Sequence, residues 1–135
     1  MSLTIVPLHA GLLALIFLGL SLRVVYLRRT LRVGLGSGGH ETLDRAVRAH
    51  ANFAEYVPLA LLLLLCLEAG TALPAWALNG LSLVLIVARV LHGFFGLNRQ
   101  SGISFGRFWG TALTWVVIGV SALLLLATGI GRWLV

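Results

Sequence analysis

The chain has 135 residues, of which 59% are hydrophobic and 10% charged, with a mean hydropathy of +1.02. That balance excludes an ordinary soluble domain and fits one small integral membrane domain, residues 1–135, built from several spanning helices. All ten basic residues are arginine and face four acids, a formal charge of +6, yet their placement beside apolar runs points to membrane topology and away from nucleic acid.

Residues 3–22 carry no charge and are long enough to cross the roughly 30 Å hydrocarbon core. The first helix is expected over 3–29, its final arginines snorkelling to the interface. Because the arginines follow the apolar run, the reverse of a secretory signal's basic start, this segment is expected to stay in the mature protein. Gly34 to Gly39 matches the glycine spacing of a dinucleotide fingerprint, but it follows a membrane helix and not a strand, and reads as a flexible loop.

Thr42 is a plausible N-cap for a second helix over 43–68, with Asp44 in its first turn. Its continuous apolar part, Tyr56 to Leu67, covers only roughly 18 Å at helical rise, so the preceding polar residues must share the membrane with it. At about 100° per residue, Arg45, Arg48, Asn52 and Glu55 fall within an arc of roughly 80°. Ionisable side chains at such depth face a bundle interior or a wet cavity and are functional-site candidates. The lone Cys66 has no partner for an intrachain disulfide and reads as a small core or lipid-facing residue.

The third helix is expected over 75–97 and holds Arg89 and His92, and the fourth over 106–131. Gly106, Gly110 and Thr114 give the fourth a small-residue edge for close helix packing. Short connections make this an all-α membrane protein, a four-helix up-down bundle. Arg28, Arg29 and Arg32 follow the first span and Arg99 and Arg107 flank the third connection, which puts both connections in the cytoplasm and both termini on the non-cytoplasmic side.

Counting helical rise from Glu68 and from Ala75 places Glu55 and Arg89 at matching depths of roughly 20 Å, with Asn52 and His92 one turn nearer the cytoplasm. The expectation is a Glu55–Arg89 pair at the floor of a polar ladder, with the remaining arginines in excess over the acids at its mouth. A bound anion, above all one with carboxylates that arginine grips in bidentate fashion, would complete such a mouth. The plain alternative is that these polar residues only bond helices together. The four histidines lack metal-ligand spacing, so no metal is expected, and no serine sits beside a base in the manner of a hydrolase triad.

Asp44-Arg45-x-x-Arg48-Ala49-x-x-Asn52-x-x-Glu55, followed by Arg89-Val90-x-His92, resembles the MAPEG proteins, membrane-associated proteins in eicosanoid and glutathione metabolism. The stretch from Ala49 to Ala60 is similar to the bacterial branch, which implies a bacterial inner membrane. The resemblance implies a homotrimer of four-helix protomers with glutathione bound between protomers near the cytoplasmic face. It implies that Arg48, Asn52 and Glu55 hold glutathione and that Arg45, Arg89 and His92 line or support the site. Arg107 is the candidate for activating the thiol, with Arg99 and Ser104 as neighbouring alternatives. Several relatives carry a tyrosine one turn after the histidine, where this chain has Gly96.

The expected function is therefore a glutathione-dependent transferase or peroxidase acting on lipophilic electrophiles that arrive through membrane lipid. A different class shares the same arginines without needing a thiolate: a non-catalytic membrane protein that binds an anionic metabolite or lipid headgroup. A transporter is disfavoured because the sequence has no paired broken helices or inverted repeats.

Overall fold

A computed structural model describes residues 3–97 and 104–134. Its helices are α1 (Ile5–Leu31), α2 (Glu41–Gly70), α3 (Ala75–Val90), which runs on into a π-helical segment (Leu91–Leu97), and α4 (Phe105–Trp133). All four are long and apolar enough to cross a membrane, the third when the π-helical turns are counted with α3. Because a helix bonds its interior backbone donors and acceptors within itself, this is the architecture that lipid permits, and the chain is an integral membrane protein.

Each helix turns small or branched apolar residues inward at three- and four-residue intervals. In α2 the buried series is Leu43, Ala46, Ala49, Phe53, Val57, Ala60, Leu64 and Leu67. Leu8, Leu15 and Leu22 of α1 and Leu123, Leu126 and Ile130 of α4 stay exposed, as a lipid-facing surface requires. α1 packs against α2 and α3, and α4 packs against the same two, so α1 and α4 stand at opposite corners.

The order α1 to α2 is locked at one end by a carboxylate. Nothing in the α1 sequence caps its own first turn. Instead Glu68, near the end of α2, accepts the backbone N–H groups of Thr4 and Ile5 on Oε1 at 2.8 and 2.7 Å and that of Val6 on Oε2 at 2.8 Å. Three donors that a helix start leaves unpaired are thus satisfied by a charge that also complements the helix dipole. At the other end, Arg28 Nη1 donates to the carbonyls of Gly34 and Gly36 at 3.3 and 3.0 Å, so the glycine loop wraps its own arginine. Gly39, at φ +80, makes the turn into α2 that a side chain would strain.

The second helix begins earlier than its sequence suggests. Asp44 N–H already donates to the His40 carbonyl at 3.0 Å, which makes His40 and not Thr42 the N-cap and leaves Thr42 inside the first turn. The small edge of α4 does pack closely. A Cβ on Gly110 would stand 2.6 Å from His92 Cβ and 2.7 Å from the Ala88 carbonyl oxygen, and one on Gly106 2.7 Å from the Leu91 oxygen. Only glycine allows the α3 and α4 backbones to come so near.

Candidate functional site

The glycine contact carries the π-helical segment, with His92 at its second position, onto the first two turns of α4. A π-turn admits one extra residue into the helix and re-aims the side chains around it, a distortion frequent at functional sites. At the same level α2 passes its polar stripe alongside α4. Between them lies a cavity of about 130 Å³ lined by Arg48, Ala51, Asn52, Glu55, His92, Arg107 and Thr111. Two guanidinium groups, one carboxylate, an amide, an imidazole and a hydroxyl converge there.

Behind the cavity sits Arg89, only 2% exposed. Its Nη1 donates to Asn52 Oδ1 at 3.0 Å, and its Nη2 donates to the Gly110 carbonyl at 2.9 Å and to Thr114 Oγ1. The Thr114 hydroxyl donates in turn to the same Gly110 carbonyl at 2.7 Å. The buried cation is therefore held by neutral acceptors from α2 and α4 and ties three helices together.

Arg107 occupies the first turn of α4, whose N-cap is Ser104. The Ser104 hydroxyl accepts the Arg107 backbone N–H at 3.3 Å. Gly96 lies against the same turn: a Cβ there would stand 2.8 Å from Arg107 N and 3.0 Å from Arg107 Cα. Beyond Arg107 and Thr111 the cavity adjoins an apolar groove of about 420 Å³ formed by Phe108, Ala112 and Trp115.

The MAPEG family pattern matches residues 6–127, nearly the whole described bundle. The chain belongs to the MAPEG family. It is 37% identical over 103 residues to the inner membrane protein YecN of Escherichia coli strain K12, covering 72% of this chain and 77% of that one. The protein of the same name from Escherichia coli O6:H1 strain CFT073 matches to the same extent.

Five of the seven candidate site residues, Arg48, Asn52, Glu55 and His92 of the motif together with Arg107, meet at one cavity. Two do not line it. Arg45 pairs with Glu41 one turn earlier on α2, at 3.0 Å, and Arg89 stands behind Asn52. The expected Glu55–Arg89 pair is not formed. Arg89 bonds Asn52, Gly110 and Thr114, while Glu55 is exposed at the cavity. Equal depth proved insufficient because the two α2 residues point in different directions. At about 100° per residue, Asn52 lies roughly 105° from the middle of the buried face of α2 and Glu55 roughly 165° from it. Asn52 flanks the core, and Glu55 is nearly opposite.

Of the three residues considered near the thiol position, Arg107 lines the cavity, Ser104 is spent on its capping bond, and Arg99 lies outside the described residues. The missing tyrosine has a steric counterpart in this MAPEG chain, since the backbone of α4 fills the space beside Gly96. Sequence reading passed over Thr111 and the Gly110 carbonyl. Thr111 was signalled by its position one turn beyond Arg107 on the same helix face. The carbonyl had no signal, because a backbone acceptor carries no residue identity.

Proposed function

We propose that this MAPEG protein is a membrane-embedded glutathione-dependent transferase or peroxidase that acts on lipophilic electrophiles. The observation that carries the reading is the convergence of Arg48, Asn52, Glu55, His92 and Arg107 on one cavity. Glutathione carries two carboxylates and one ammonium group. Two guanidinium groups and an amide donor suit the carboxylates, and Glu55 suits the ammonium. Arg107, at a helix N-terminus where the dipole adds to its charge, favours the thiolate over the thiol and so raises the nucleophilic fraction at neutral pH. In conjugation the thiolate sulfur forms a bond to an electrophilic carbon and the leaving group departs with the electron pair. In peroxide reduction sulfur attacks the terminal peroxide oxygen, the O–O bond breaks and the alcohol leaves, and a second glutathione thiol displaces water from the resulting sulfenic acid to give the disulfide.

The apolar groove of Phe108, Ala112 and Trp115 shares Arg107 and Thr111 with the polar cavity, which supports the approach of a lipophilic partner from the lipid. The polar cavity of one chain is smaller than the roughly 300–1,000 Å³ usual for small-molecule sites. Together with the exposure of Arg48 and Glu55, this supports a site completed by a neighbouring copy in the homotrimer that family membership suggests. The arginine-rich connections support a site near the cytoplasmic face with both termini opposite, and the similarity to an inner membrane protein supports that location.

A conjugation assay in detergent with a chromogenic electrophile tests the reading. Wild type turns over; Arg48→Ala raises KM for glutathione by about 10-fold or more, and Arg107→Ala lowers kcat by a similar factor, as loss of a charge-assisted hydrogen bond implies. Glutathione binding without turnover by wild type would favour the non-catalytic reading. Absence of glutathione binding would remove both the catalytic and the non-catalytic glutathione readings and leave another anion or a lipid headgroup as the ligand.

A further inference from the structure

The geometry points to Arg89 as a positioning residue that sets which way the Asn52 amide faces, and thereby makes the cavity select a carboxylate at that point. The inference rests on the glutathione reading and assigns a role within it to a side chain that does not line the cavity.

Arginine has five N–H donors and no acceptor, so the atom of Asn52 that meets Arg89 Nη1 at 3.0 Å is the oxygen. A flipped amide would set donor against donor beside a cation 2% exposed. The Asn52 side chain is half-buried and borders the cavity, which leaves Nδ2 and its hydrogens on the cavity side. Free asparagine offers a ligand either an acceptor or a donor; held in this way it offers a donor only. Arg89 itself is not free to turn, because Nη2 is engaged by the Gly110 carbonyl and Thr114 Oγ1 across the helix interface. No carboxylate pairs with it among the described residues. Its charge therefore polarises the amide it bonds and strengthens the outward donor. A ligand carboxylate, an acceptor at both oxygens and charged, suits this atom better than an amide, which accepts at one neutral oxygen only; an ammonium, a donor only, does not fit it.

The decisive measurement is isothermal titration of the detergent-solubilised full chain with glutathione and with glutathione whose two carboxylates are converted to primary amides. Wild type is expected to prefer the carboxylate form. Asn52→Asp keeps the shape and the Arg89 contact but turns an acceptor oxygen to the cavity, so the preference should fall at least about 10-fold. Arg89→Gln frees the Asn52 amide to rotate, and the preference should drop toward that of an unoriented amide. Arg89→Lys, which keeps a buried donor-only cation, should bind more weakly and retain the preference. A merely structural arginine would change folded yield and thermal midpoint in Arg89→Gln without moving the ratio measured on folded protein.

An Arg89→Gln protein with the wild-type ratio overturns the positioning role. If that variant does not fold, Asn52→Asp decides, and an unchanged ratio there overturns the outward donor on which the role depends. A wild type that binds glutathione while these ratios stay fixed sinks this inference alone. A wild type that binds neither compound sinks the glutathione reading and the inference with it.

Discussion

Two of the four carboxylates of α2, Glu68 and Glu55, have opposite fates. Glu68 is saturated from within, by three backbone N–H groups at the start of α1 at 2.7 to 2.8 Å. Glu55 is exposed and borders a cavity with two arginines in its lining. A charge whose lone pairs are occupied by backbone holds the fold together. A charge in a spanning helix that is exposed and pairs with none of the described residues is available to a ligand or a second copy. Contact within the fold, and not the presence of an acid in lipid, separates the structural group from the candidate functional one.

The comparison breaks most completely if the scaffold behind Glu55 is removed. Gly110→Leu drives a side chain into His92 and the Ala88 carbonyl and displaces the oxygen that holds Arg89. The loss should exceed about 3 kcal/mol, seen as failure to recover monodisperse protein from detergent. Glu68→Ala leaves three helix-start donors without their partner and should cost about 1–3 kcal/mol, read as a lower thermal midpoint. Glutathione affinity should stay within about 2-fold of wild type, because sites far apart with no shared partner act additively. Glu55→Gln should do the reverse: a midpoint change within about 0.5 kcal/mol and a roughly 10-fold weaker affinity for glutathione. If Glu55→Gln proved as destabilising as Glu68→Ala, the exposed carboxylate would be a structural group after all and the contrast would collapse.

Much of this was legible in the residues. Uninterrupted apolar length specifies spanning helices because lipid admits no other local solution for the backbone. The polar stripe of α2 was visible from its period, and five of the candidate site residues meet at one cavity. The partner of Arg89 was not legible. Helical rise fixes depth but leaves rotation open, and the acceptors chosen were an amide on the flank of α2, a threonine and a backbone carbonyl. The role of Glu68 was equally hidden, since its donors are main-chain groups more than sixty residues earlier.

The sequence by itself determined that this chain spans a membrane with four helices and that α2 carries ionisable groups on one side. Those properties follow from composition and from the fixed period of a helix. The tertiary structure decided that Glu68 caps α1, that Gly106 and Gly110 bring the π-helical segment onto α4, and that Arg89 holds Asn52 while Glu55 is exposed at the cavity. Each of these depends on how far one helix is rotated and how closely it approaches another. Close packing of glycine edges and the need to satisfy buried polar groups set those two quantities.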